Sequence, residues 1–247
     1  MSEARSFLFG YDHDLPLEPA SRGHEHGHLR HLSYLSSGPV RVPALLAKPA
    51  GPAPRAILIQ HGGGESKDDP LMHLLMRRWS AAGFICLAID APGHGERSVS
   101  ESPVARRGFF EYLRARAQNV IDLRRGLDLL QAEFGVEAGA CGYWGVSMGG
   151  SVGVMLLAAD SRLKHACLCL AGARARRAWP AIDPALADFA AANLDPLALA
   201  RDIKGASVLM LNGEHDETIS REDGERLFEA LPEPKEQRWF KTGHKVT

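Results

Sequence analysis

Short apolar runs and longer amphipathic segments alternate along most of this chain. Residues 56 to 60, AILIQ, are apolar up to a terminal glutamine and follow the proline and glycine punctuation of PAGPAPR. A run of that length predicts a strand covered on both faces. Residues 70 to 82, PLMHLLMRRWSAA, place Leu71, Leu74, Leu75 and Trp79 at helical spacing, with Gly83 as a stop ahead of the strand FICLAID. A long helix then carries Val120, Leu123, Leu127, Leu130 and Phe134 on one stripe before a strand at residues 141 to 144, a helix from about Met148 and the strand HACLCLA. ASVLMLNG, a helix over residues 221 to 230 and EQRWF complete the series. Ahead of it, LRHLSYLSSGPVRVPALLAKP predicts two strands joined by a turn at Ser36-Ser37-Gly38-Pro39. The first 28 residues are dotted with histidines and are expected to be irregular.

Strands that alternate with helices need crossover connections, so the pattern predicts an α/β fold with a mostly parallel eight-stranded sheet and helices on both faces. One domain over residues 29 to 247, behind an irregular segment 1 to 28, holds all of it. Residues 98 to 112 and 172 to 205 are longer than ordinary connections. The second, after the sixth strand, is expected to form a short lid-like insertion.

Composition narrows the partners. The chain is 45% hydrophobic with a formal net charge of -1, which excludes the basic field of a nucleic-acid binder. It contains no apolar run of about 18 residues, and MSEARSFLFGYDHDLPLEP lacks the apolar segment of a signal peptide, so a cytoplasmic protein without a membrane span is expected. Cys86, Cys141, Cys167 and Cys169 sit in strand-like runs without metal-ligand spacing, as reduced core thiols would.

In an open parallel sheet, ligands sit beyond the carboxyl ends of the strands. The residues that follow the predicted strands are His61-Gly62-Gly63-Gly64, then Asp90 with PGHGERS, then Ser147, then Asp216, then His244. A serine hydroxyl becomes a nucleophile when an imidazole takes its proton, and the imidazole needs an acid on its other nitrogen. Ser147, His244 and Asp216 can fill those roles in the chain order expected on strand ends, although Glu214, Glu217 and Asp90 compete for the acid. Gly145 and Gly149 flank the serine where a sharp strand-to-helix turn leaves no room for side chains. Asp90 is expected to organise its own loop by accepting from turn amides.

The stretches LIQHGGGES, AIDAPGHGERS, GYWGVSMGGSVG, LMLNGEHDETIS and KTGH together resemble the α/β-hydrolase superfamily over roughly residues 40 to 245, closest to its dienelactone-hydrolase-like and bacterial esterase branch. The resemblance selects Asp216 as the acid. It implies an oxyanion hole from the backbone N–H of Met148 and one from the loop of Gly63 and Gly64, with Gly63 preferred. Dienelactone hydrolases carry a cysteine nucleophile where residue 147 is serine, which favours an ester-hydrolysing relative. Members of the branch continue past the histidine into a further helix, whereas Lys245, Val246 and Thr247 follow it in this sequence.

Phe109, Phe110 and Tyr112, after the fourth strand, and Trp179 and Phe189, after the sixth, are candidates for an apolar substrate pocket, with Phe109, Phe110 and Trp179 preferred. Arg106, Arg107, Arg174, Arg176 and Arg177 are read as solvated surface residues rather than a carboxylate clamp. His24, His26 and His28 alternate but have no acidic or thiol partner at useful spacing, so no metal and no cofactor are expected. The function expected is a serine carboxylic-ester hydrolase acting through an acyl-enzyme on a small or medium ester, with homodimerisation left open. An oligopeptidase-like amidase or acyltransferase on the same triad, and a non-catalytic binding protein of this fold, are the alternatives.

Overall fold

A computed structural model describes residues 3–26, 29–98, 108–173 and 183–246. Its strands are β1 (Ala20–His26), β2 (Leu29–Leu35), β3 (Arg41–Ala47), β4 (Ala56–Gln60), β5 (Ile85–Ile89), β6 (Cys141–Val146), β7 (His165–Cys169), β8 (Ser207–Gly213) and β9 (Lys235–Phe240). They form one sheet in the order β1-β2-β3-β5-β4-β6-β7-β8-β9. β1, β2, β3 and β5 pair antiparallel, and β5 through β9 pair parallel by way of β4. The helices are α1 (Glu3–Phe9), α2 (Pro70–Ala81), α3 (Phe109–Phe134), α4 (Met148–Ala159), α5 (Pro184–Leu194), α6 (Pro196–Ala200) and α7 (Arg221–Ala230).

The sheet has nine strands rather than the expected eight. The extra one is β1, in the segment expected to be irregular, where α1 also forms and buries Phe9. β1 reads ASRGHEH and has no apolar alternation to betray it, because it is an edge strand specified by its backbone pairing with β2. His28 lies outside the described residues.

Two cores enclose the sheet. The larger joins Leu58, Leu87 and Leu168 to α3 through Val120, Leu123 and Leu130, to α4 through Met155 and Leu156, and to α7 through Leu227. On the opposite face Met72 and Met76 of α2 pack on Leu45, Ile59, Cys86 and Trp144. Within the segment 172–205, α6 places Leu199 and Ala200 in the larger core, so this part belongs to the body of the fold; residues 174–182, with Arg174, Arg176, Arg177 and Trp179, lie outside the described residues. Among the described residues no helix is long and apolar enough to cross a membrane.

Register places the site. Gln60 pairs with both Ile89 and Gly145, Val146 with Cys169, and Cys169 with Leu211, so the carboxyl ends of five neighbouring strands reach one edge together. The loops that carry His61, Asp90, Ser147 and Asp216 leave from that edge.

Candidate active site

Ser147 occupies the turn between β6 and α4 with φ 53° and ψ -106°, a region L-residues rarely enter. Close packing holds it there. A Cβ at Gly145 would lie 2.5 Å from the Gly149 carbonyl oxygen, and one at Gly149 would run into the carbonyl oxygen of Gln60. The Ser147 N–H donates to the Cys169 carbonyl at 2.8 Å, and the Tyr143 hydroxyl donates to the Gly149 carbonyl at 2.6 Å. Burial pushes the Tyr143 pKa well above the ordinary phenol range, which keeps this donor protonated.

Asp216 and His244 converge on the serine from β8 and from the loop after β9. His244 Nδ1 lies 2.7 Å from Asp216 Oδ2, and His244 Nε2 lies 2.8 Å from Ser147 Oγ. An ionised carboxylate only accepts, so Nδ1 carries the proton and Nε2 is left to accept from the serine hydroxyl. The Asp216 side chain is 1% exposed, and its other oxygen accepts from the Thr218 and Ile219 N–H groups, each at 2.8 Å. The His244 loop is tied to the turn that carries Asp216: the Glu214 N–H donates to Phe240 O at 2.8 Å and the His215 N–H to Thr242 O at 3.0 Å.

Two buried networks shape the opposite side. The Ala91 N–H donates to His61 Nε2 at 3.1 Å, so the His61 proton sits on Nδ1, which donates to Gly62 O at 2.7 Å. Burial lowers the His61 pKa to about 4 and keeps the ring neutral. The Gly62 N–H donates to Glu65 at 2.8 Å, closing the glycine loop. Asp90 accepts from the Lys67 N–H at 2.9 Å and the Glu96 N–H at 3.0 Å, the turn-organising role expected for it. The fully buried Lys67 ammonium reaches Asp68, Asp90 and Glu96 at 2.6, 3.1 and 2.7 Å. Its burial works to lower its pKa, but the bonds to Asp68 and Glu96 and the charge of Asp90 outweigh that and raise it.

A cavity of about 300 Å³ opens in front of Ser147. Gly63, Gly64 and Met148 form one side, and a Cβ built on Gly63 would stand 3.9 Å from Met148 Cβ. The first turn of α4 has no side-chain cap, and Met148 and Ser151 of that turn line the cavity. Tyr112, Ala115, Arg116 and Asn119 of α3 line the other side, with His94, Ser151, Thr218 and Ile219 completing the wall.

Phe109 and Phe110, expected in the pocket, are not part of this lining. The cavity-facing stripe of α3 starts at Tyr112; Phe109 falls one turn before it, and Phe110, two residues from Tyr112, points elsewhere and is 69% exposed. The residues missed by sequence reasoning are chiefly Arg116 and Asn119. The available signal was a polar residue beside the apolar stripe: Asn119 stands four residues before Leu123.

The alpha/beta hydrolase fold family model matches residues 55–204, and the chain belongs to that family. No curated protein matches it. Among solved structures, it is similar to a cold-adapted esterase from an Arctic intertidal metagenomic library, at 24% identity over 92% of each chain with a TM-score of 0.71. It also resembles acetyl xylan esterase 1 from a Thermoanaerobacterium species, at 16% identity over 99% of this chain and 88% of that one, TM-score 0.78. A third likeness is to a putative dienelactone hydrolase from Klebsiella pneumoniae, at 20% identity over 87% of this chain and 86% of that one, TM-score 0.66.

Proposed function

We propose that this chain is a serine carboxylic-ester hydrolase. The observation that carries the reading is the unbroken relay Asp216–His244–Ser147, with both contacts at hydrogen-bond distance on a strained serine. Ser147 Oγ attacks the ester carbonyl while its proton passes to His244 Nε2. The negative charge that develops on the carbonyl oxygen is met by the N–H of Met148 and one from Gly63 or Gly64. Collapse of the tetrahedral species expels the alcohol, which takes the proton from Nε2. Water then attacks the acyl-enzyme by the same route and releases the acid. Asp216 stays ionised throughout, held by two amides, and stabilises the imidazolium.

The cavity size suits a small or medium ester, and four free cysteines are in keeping with a reducing, cytoplasmic setting. The test is hydrolysis of p-nitrophenyl butyrate together with labelling by a fluorophosphonate probe. Wild type is expected to turn over the ester and to be labelled. Ser147→Ala should lose both, with kcat down by about four orders of magnitude or more and an unchanged circular dichroism spectrum. Turnover retained in Ser147→Ala would sink the proposal.

A further inference from the structure

The α3 wall of the cavity contains a polar group that the proposed chemistry does not use. Asn119 is 2% exposed and lines the cavity, yet its Oδ1 has no hydrogen-bond partner. A buried acceptor in this state has lost its water and gained nothing in return. Its buried neighbours on α3 are held by partners: Asp122 accepts from Arg97 at 2.6 Å and Gln118 at 2.7 Å, and Arg125, whose Nε is unpartnered, donates through its terminal nitrogens to the carbonyls of Leu15 and Pro16 at 2.7 and 3.2 Å. Of the side chains with an unpartnered buried atom, Asn119 is the one that borders the cavity. Arg116, one turn away on the same helix, holds its guanidinium over the Tyr112 ring at 5.0 Å and also lines the cavity.

We infer that Asn119 determines substrate specificity by binding a hydroxyl group of the ester, so that the substrates are hydroxylated esters rather than plain alkyl esters. A carboxamide offers one acceptor and two donors, and a hydroxyl, which donates and accepts, is its smallest full complement. A carboxylate brings no donor for Oδ1, and an alkyl chain brings neither. No hydrogen bond among the described residues holds Oδ1 in place, so a turn of the amide about its terminal torsion carries it to the incoming hydroxyl without breaking anything. This inference rests on the ester-hydrolase reading of the site.

The experiment compares kcat/KM within two matched pairs: methyl 3-hydroxybutyrate against methyl butyrate for the acyl side, and 2,3-dihydroxypropyl butyrate against propyl butyrate for the alcohol side. Wild type is expected to favour the hydroxylated member of at least one pair by about tenfold or more. In Asn119→Leu, which keeps the volume and removes the polar atoms, that ratio should fall toward one, and Asn119→Ala should do the same. A purely structural asparagine would change both members of a pair equally and leave the ratio intact. Melting temperature supplies an independent reading: loss of an unpaired buried acceptor should leave Asn119→Leu melting no lower than wild type. A wild-type ratio near one in both pairs, or a preference that survives both substitutions, overturns the inference while Ser147 labelling and plain-ester turnover leave the hydrolase reading standing. Absence of turnover on all four esters, together with no labelling of Ser147, fails the hydrolase reading and takes this inference with it.

Discussion

At the residue scale, single atoms decide the geometry around Ser147. A methyl group at Gly149 would meet the backbone oxygen of Gln60, which cannot rotate away as a side chain can. Gly149→Ala should therefore displace the turn, costing about 1–3 kcal/mol of stability in urea titrations and lowering kcat more than it raises KM. His61 acts at the same scale through its charge state. Its folded pKa of about 4 is below the ordinary value near 6.5, so between those values the unfolded chain binds a proton that the folded chain refuses. Stability contributed by this group is therefore full above pH about 6.5 and is lost as pH falls through about 4, by up to roughly 3 kcal/mol. His61→Gln keeps an acceptor and a donor but does not titrate. Its stability should vary less with pH than that of wild type over pH 4 to 6.5, and equal slopes would show that His61 is not the group responsible.

At the element scale, the glycine loop after β4 and the loop after β5 are bound to each other by a buried cation. Lys67 is fully buried with Asp90, and among the described residues its ammonium is the cation paired with that carboxylate, whose other two donors are backbone amides. Removal of one partner from such a pair leaves an unpaired buried charge, so Lys67→Met should cost about 3–5 kcal/mol. The double variant Lys67→Met with Asp90→Asn should recover part of that loss, and thermal unfolding of the three proteins gives the comparison. This network shows where sequence reading stopped. Ser147 stood out because it follows a strongly apolar strand in a glycine-flanked turn, whereas position left Glu214, Glu217 and Asp90 open beside Asp216 and only the family resemblance chose among them. The glycines around Ser147 were legible because the turn geometry forbids a Cβ. Lys67 and Asn119 were not, because a lysine in a loop and an asparagine on a helix are ordinarily solvated, and only tertiary packing buries them. β1 escaped for a related reason: an edge strand without an apolar face leaves no periodic trace.

At the scale of the whole molecule, the site draws on both halves of the sheet, and its parts are anchored unequally. Ser147 rises from β6 in the middle of the sheet, between two cores, whereas His244 follows β9, which pairs with β8 alone and has no fully buried residue. The loop that presents His244 returns through backbone bonds to residues 214 and 215. Segments with few buried contacts at an edge open at lower free energy than central strands, so β9 and its loop should open before the sheet unfolds. In the proposed mechanism proton transfer at Ser147 needs His244 in place, so esterase activity should fall with a urea midpoint below that of the far-UV circular dichroism signal. Opening of the loop is local, so activity lost in this range should return at once on dilution. Hydrogen exchange should in turn be fastest at the backbone amides of residues 240 to 246 and slowest in β4 and β6. Coincident midpoints for activity and circular dichroism would mean that the edge is as firmly held as the centre, and that the backbone bonds to residues 214 and 215 are enough to make the loop part of the cooperative core.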